Sequence, residues 1–433
     1  MRFEDAIVNR AFVLALLFPS ALVARPADAE TEKLSPAAQK IQWAQRAIEK
    51  NPNIFQRYNE LAIALARRAR ETSDVSYYEQ ADAALQKSFL LMPGNIEGQK
   101  VQVWVLLGKH EFAKALKLAS ALNQRVPDDV SIYGFLVDAN VEIGNYSEAE
   151  KAAQWMLDIR PGNVPGLTRA AYLRELFGDL EGAADLMRSA YQQVQATEVE
   201  DRAWMLTQLA HLRWTAGALD DAEGLLRQAL ELFPNYHYAL GNLAKIYSAK
   251  GQEAKAIALL RQRYESAPHP ENAYALAECL EKARRLVEAK RMYLEFEQKA
   301  RRELKQADNA NRELVFYYTD HSHQPAAALR IARLELAGRR DVYTLDAHAW
   351  ALYANGRYAD AQKQIEGALS VRIRDARLLY HAGAIALKLG NRSQARRYWK
   401  ESLELNPRSE YSALVRNQLG KISPVVGLPP GAN

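Results

Sequence analysis

The sequence of 433 residues holds one cysteine, Cys279, so it supplies neither an internal disulfide nor a thiolate-rich metal site. It has little net charge: 57 Lys and Arg against 52 Asp and Glu leave +5, which is no nucleic-acid signature. With 21 glycines and 16 prolines it is too poor in both for a collagen. No apolar run reaches the roughly twenty residues that a membrane-spanning helix requires. There is no Gly-x-Ser-x-Gly elbow, no Walker loop and no dinucleotide fingerprint. His110-Glu111 opens like a zinc-protease helix, but Lys114 stands where the second histidine is needed. Disulfide scaffolds, zinc ribbons and multi-span membrane proteins are excluded by these absences. What is present, 48% apolar and 25% charged residues, is a globular balance.

The first thirty residues stand apart. Ala11–Ala24 (AFVLALLFPSALVA) is a short apolar run broken by Pro19, and Ala27-Asp28-Ala29 follows with a small-x-small pattern. The run predicts a secretory signal over residues 1–29, cleaved after Ala29, and therefore a periplasmic or secreted protein. Glu4 and Asp5 weaken the basic n-region, so an uncleaved anchor or a buried helix is the competing reading.

Prolines reveal the organisation of the rest. Pro93, Pro127 and Pro161 are spaced by 34, as are Pro234 and Pro268. In the same register Gly144-Asn145-Tyr146 is followed by Ala149, Gly178-Asp179-Leu180 by Ala183, and Gly217-Ala218-Leu219 by Ala222. Gly356-Arg357-Tyr358 with Ala361 and Gly390-Asn391-Arg392 with Ala395 repeat the spacing.

This pattern resembles the tetratricopeptide repeat family, whose unit is a 34-residue pair of antiparallel helices, A and B. With the closing proline at position 32, Val130–Asn163 places Leu136 at 7, Val137 at 8, Gly144 at 15, Tyr146 at 17, Ala149 at 20 and Pro161 at 32. His237–Pro270 and Ala376–Ser409 fill the same places, and further units begin at Ile96, Val164, Ala203 and Val342. Degenerate units begin near Phe55, Pro270 and Asp308. Small residues at 8 and 20 let paired helices approach, glycine at 15 takes a turn with positive φ, and proline at 32 stops helix B. The resemblance implies an all-α fold: an α-solenoid, wound as a right-handed superhelix of about ten units over residues 38–422. Ala37–Lys50 and Ser409–Lys421 read as capping helices, and residues 423–433 as an extended tail.

The departures carry expectations of their own. Extra residues near Arg70–Ser76 predict a longer turn inside the Phe55 unit, and those at Gln192–Val199 and Lys305–Asn309 predict longer connections between units. Arg301 and Arg339 replace the closing proline, and Arg284 and Ser322 replace the turn glycine, so the solenoid is expected to flex around Arg301–Asn309. His321-Ser322-His323 reads as a solvated turn and Cys279 as a small buried apolar residue.

No catalytic, metal or cofactor set emerges, which predicts a protein that is not an enzyme. In the family, positions 2, 5, 9 and 12 of helix A line a concave groove. These positions offer Trp104, Tyr172, Trp204, His211, Trp214, Tyr238, Phe316, Tyr343, Trp350 and Tyr380 as partner-binding residues. Trp155 and Trp399 fall on helix B and read as packing. The Lys-and-Asn clamp of chaperone-binding members is missing, since Lys100 at position 5 is followed by Trp104 at 9. Residues 270–433 hold 27 Lys and Arg against 19 Asp and Glu, which suits an anionic glycan or a membrane surface. The expected function is a scaffold that captures a protein or peptide in the groove, with a glycan-binding envelope scaffold as the alternative and no nucleic-acid partner.

Overall fold

The computed structural model describes residues 34–306 and 309–422, so the signal over 1–29 and the tail over 423–433 lie outside the described residues. The described chain is all helix, with no strand among the described residues. Pro36–Lys50 (α1) precedes ten helical pairs. They are Phe55–Thr72 and Ser76–Leu91 (α2, α3), Ile96–Gly108 and Phe112–Arg125 (α4, α5), and Val130–Glu142 and Tyr146–Ile159 (α6, α7). Val164–Leu176 and Leu180–Gln193 (α8, α9), Val199–Thr215 and Leu219–Leu232 (α10, α11), and His237–Ala249 and Glu253–Ser266 (α12, α13) follow. Then come Pro270–Lys282 and Leu286–Arg302 (α14, α15), Asn311–Phe316 and Pro325–Leu336 (α16, α17), Val342–Ala354 and Tyr358–Leu369 (α18, α19), and Ala376–Lys388 and Arg392–Leu405 (α20, α21). Ser412–Lys421 (α22) closes the array.

The reason these residues form pairs is local and repeated. Asn95, Asp129, Asn163, Asp341 and Asp375 each precede an A helix, and their side chains accept its first free N–H groups. Alanine at position 20 is almost wholly buried in unit after unit, from Ala115, Ala149 and Ala183 to Ala361 and Ala395. No larger side chain fits between two helices that close together.

Three expectations about the irregular places need correction. The surplus residues at Arg70–Ser76 do not lengthen the turn: α2 simply runs on to Thr72, because Ala62, Ala66 and Ala69 extend its buried stripe. Val199 belongs to α10, which leaves only residues 194–198 as the connection. His321 is not in a solvated turn. Tyr317–His321 forms a π-helical turn after α16, and the His321 ring packs 4.6 Å from Tyr293 with Nδ1 2.9 Å from Glu281. The extra residue of the π turn shifts the register by one, so positive φ falls on His323 rather than Ser322, and the buried alanine is Ala328. Arg284 does take the glycine conformation, at φ 61°.

The solenoid winds tightly enough for its successive turns to touch. Arg340 N–H donates to the Glu142 carbonyl at 2.7 Å, and Val342 N–H donates to the Tyr146 hydroxyl at 3.0 Å. One unit further on, Gly178 sits against the Arg372 carbonyl, and beyond that Asn406 Nδ2 donates to the Trp214 carbonyl at 2.7 Å. These contacts join residues about 195 apart, close to six units. Near the N-terminus Arg70 bonds Glu200 at 3.0 Å, and His237 Nε2 lies 3.0 Å from the Arg70 carbonyl. A hinge at Arg301–Asn309 would pull against this seam.

Gly178 provides a test of the seam. Its φ is +83°, and a Cβ there would stand 2.5 Å from the Arg372 carbonyl oxygen; Gly390 has the same φ with open space around it. Gly390→Ala should cost only the left-handed backbone, about 1 kcal/mol. Gly178→Ala should cost about 2–4 kcal/mol, because the clash also parts the turns. Chemical denaturation of both variants measures the difference, and equal losses would mean that the seam contributes nothing.

Candidate functional site

Winding the units through a full turn brings A helices of distant units to face one interior. Tyr343 on α18 feels the charges of Glu175 on α8 and of Asp375 just before α20, and lies near Tyr172. Glu410 feels Lys245 on α12, Glu278 on α14, and Arg377 and Asp375 at the start of α20, three different units. Burial and the neighbouring carboxylates push the Tyr343 phenol well above its ordinary range, and burial raises the Glu410 carboxyl.

The inward surface has two concentrations of the expected residues. Around Glu175 on α8, Tyr172, Trp204, Thr168, Gln208 and Leu212 enclose a small cavity of about 50 Å³. His211 Nε2 lies 2.8 Å from Glu175 Oε1. Burial alone would lower the His211 pKa, but the charge and hydrogen bond of Glu175 outweigh it and raise it. Tyr172, Trp204, His211 and Tyr343 therefore share one neighbourhood, held in place by a buried carboxylate. All four rings are half-buried, so each keeps accessible surface.

The second concentration lies on α16, α18 and α20. His381 stacks on Trp350 with centroids 4.0 Å apart, Tyr353 stacks on the same indole at 4.6 Å, and Tyr380 meets Tyr411 at 5.4 Å. Trp350 Nε1 donates to Asp320 at 2.7 Å, His381 Nδ1 lies 2.7 Å from Asp346, and Arg377 covers Phe316 at 4.8 Å. Phe316 and Trp350 are thereby only 8% exposed and are core, so the expectation that they line an open groove is corrected. The ring of Tyr380 stays half-buried at the edge of this cluster.

The remaining expected residues stand elsewhere. Trp104 packs half-buried against the first units, and Trp214 packs against the core while its carbonyl takes the seam bond from Asn406. Tyr238 keeps 37% of its surface, with His237 3.9 Å away. Trp399 is fully buried as expected; Trp155, read as packing, is 45% exposed and meets only Tyr133 at 6.0 Å. Lys100 is engaged by Glu97 and Asp129, each at 2.8 Å. Cys279 is buried, and burial pushes its thiol up to about 11, so it is a poor nucleophile. Among the described residues no group of three or more His, Cys, Asp or Glu is arranged to hold a metal. Glu175 and Gln208 were missed by the sequence reading because it scanned the inward positions for aromatics; position 12 of the Val164 unit does mark Glu175.

The fold is that of an α-solenoid built from stacked helical pairs around an inward face of aromatic and charged side chains. Two stretches match the tetratricopeptide repeat itself, residues 213–271 and residues 376–409, so the chain carries tetratricopeptide repeats. No curated protein matches the chain. Among solved structures, the human IFIT1 dimer with PPP-AAAA aligns with 84% of this chain and 87% of its own, at 13% identity and a TM-score of 0.48. A tetratricopeptide repeat protein from Parabacteroides merdae ATCC 43184 aligns with 59% of this chain and 97% of its own, at 19% identity and a TM-score of 0.35.

The Glu175–His211 pair generates a pH dependence. Its folded pKa is raised, so the pair stabilises the fold fully below about pH 6.5, the unfolded value, and the contribution is lost as pH rises through the folded pKa. Because His211 is about one-third exposed, the change should stay below about 1 kcal/mol. Denaturation midpoints measured from pH 6 to pH 9 should fall in the parent protein and lose this component in His211→Gln; the same fall in both would exclude the pair as its source.

Proposed function

We propose that the protein is a non-catalytic scaffold that holds a segment of a partner protein against its inward face, outside the cytoplasm. The observation that carries this reading is the set of half-buried rings Tyr172, Trp204, Tyr343 and Tyr380 on A helices. Each is fixed by its neighbours yet keeps surface to offer. Rigid aromatic rings give a large contact area at little entropic cost, which is why they act as anchors. Tetratricopeptide repeats, which suit protein partners, support the same reading. The extracytoplasmic location rests on Ala11–Ala24 and Ala27-Asp28-Ala29.

The glycan alternative leans on the basic C-terminal half, but two of its arginines are already engaged. Arg339 lies between Glu142 and Asp341, and Arg377 pairs with Asp346 at 3.1 Å. The geometry favours the protein partner.

Cross-linking in the native cells followed by purification should recover a protein partner at the inward face. Tyr172→Ala/Trp204→Ala should cut that recovery at least tenfold, with Trp155→Ala, an exposed indole on the B helix α7, as the unaffected control. Equal recovery from all three, or polysaccharide or nucleic acid in place of protein, would overturn the reading. For the location, N-terminal sequencing of the protein from the same cells should begin at Glu30; a chain that keeps Met1 and stays in the cytoplasm would contradict export.

A further inference from the structure

The first units present a surface unlike the rest of the exterior. Trp43 on α1 is 57% exposed and Leu90 at the end of α3 is 76% exposed, and Ile54, Leu91 and Met92 are exposed beside them. The start of α2 links them. Arg57 stands over the Trp43 ring at 5.1 Å, and Ser88 donates to the Phe55 carbonyl at 3.3 Å, which sets the end of α3 beside the start of α2. Stacking onto a preceding unit would cover such side chains inside a solenoid, but an end unit ordinarily turns a polar face outward.

Around this surface cations outnumber carboxylates: Arg46, Lys50, Arg57 and Lys87 stand against Glu49 and Glu60, with Arg57 and Glu60 paired at 2.9 Å. Trp43, Arg46 and Lys50 fall at i, i+3 and i+7 of α1, with Glu49 off that row, and Lys87 stands three residues before Leu90 on α3. Arg46, Lys50 and Lys87 are exposed. The apolar side chains come from two helices and the turn between α1 and α2, and Arg46, Lys50 and Lys87 stand on the same two helices. An indole flanked by Lys and Arg suits the boundary between lipid headgroups and acyl chains: the ring enters the boundary, and the cations reach the phosphates. The sequence gives an independent reason for a bilayer at this end. The apolar run Ala11–Ala24 ends twelve residues before α1, and this reason rests on the proposed reading of that run as an export signal or anchor.

We propose that the N-terminal outer surface formed by Trp43, Ile54, Leu90, Leu91 and Met92 docks on an anionic lipid bilayer. Docking inserts Trp43 and Leu90 into the interface and sets Arg46, Lys50 and Lys87 against lipid phosphates. The inward face is left clear for its own partner, so the two surfaces operate separately. Anionic lipid concentrates the cations near the surface and salt weakens that term, so docking is sensitive to ionic strength.

The test uses the full chain and vesicles of phosphatidylcholine with 30% phosphatidylglycerol, some carrying brominated acyl chains. Trp43 emission should be quenched by the brominated lipid, a component that disappears in Trp43→Phe. Trp43→Ala/Leu90→Ala/Met92→Ala should lower vesicle partitioning at least tenfold, while Val287→Ala/Leu294→Ala, exposed apolar residues on α15, should leave it unchanged. All of these positions are exposed, and unchanged thermal unfolding will show that the variants are folded. Raising the salt to 0.5 M should weaken binding several-fold. Flotation without quenching of Trp43 would mean that residues outside this surface hold the lipid, and would overturn the proposal. So would absence of flotation, or a dimer that the triple variant converts to monomer, which would make the surface a contact between copies.

Discussion

Arg339 is the residue on which the shape of the solenoid turns. Its guanidinium lies 2.5 Å from Glu142 and 2.9 Å from Asp341, almost out of solvent, with the Phe112 ring beneath it. Taking an arginine and two carboxylates out of water is expensive, and the cost is met only because the charges are opposite and close. Removing one member strands the others, a change worth about 3–5 kcal/mol in comparable buried pairs. A solenoid is ordinarily a sum of units and nearest-neighbour interfaces. Here Glu142 ends the A helix of one unit and Arg339 precedes an A helix about six units later, so the seam adds a term between distant units and makes opening cooperative along the array.

The seam also decides what kind of inward face exists. In an open groove each unit would present its residues to water alone. With the turns in contact, Tyr172 and Tyr343 come from units far apart in sequence and lie in the field of the same carboxylate, Glu175. Burial raises both phenols, and in such surroundings charges act more strongly and each polar group has to find a partner. Glu175 finds His211, Asp346 finds His381 and Arg377, and Asp320 finds the indole of Trp350. The rings that remain accessible are those whose edges no neighbouring unit reaches.

Most of the architecture was legible because it repeats. The spacing of prolines, glycines and alanines placed helix A of nearly every unit at its observed start, and two end helices were read from amphipathic stripes. What failed to show was of two kinds. Register shifts were hidden: the π turn at Tyr317–His321 adds one residue, and no periodic argument signals which position absorbs it. Contacts between turns were hidden as well, since the identity of residues 34 apart says nothing about residues about 195 apart. Arg339 was read as a degraded proline position, when it is the site where the array closes on itself. The inward aromatics were legible as a set, but Phe316 and Trp350 were not distinguishable from Tyr172 and Trp204 until their neighbours were known. Phe316, Trp350 and Tyr172 all occupy position 9 and Trp204 occupies position 2, both inward places, and only packing separates a core ring from an accessible one.

Charge carries a similar lesson. The basic excess of residues 270–433 suggests an exterior that attracts anions, yet Arg339 and Arg377 are consumed internally. Arginine suits these places because it stays charged when buried, so its ion pairs with Glu142, Asp341 and Asp346 persist. On α21, Arg396, Arg397 and Lys400 are interleaved with Glu401 and Glu404, which divides the field rather than concentrating it. The smaller group at the N-terminal end, Arg46, Lys50 and Lys87, is exposed with Glu49 as its neighbour on α1, and stands on the helices that carry the exposed Trp43 and Leu90. A few cations beside a tryptophan define a surface better than many cations locked in the framework, because what a partner feels is the charge left after the fold has satisfied its own.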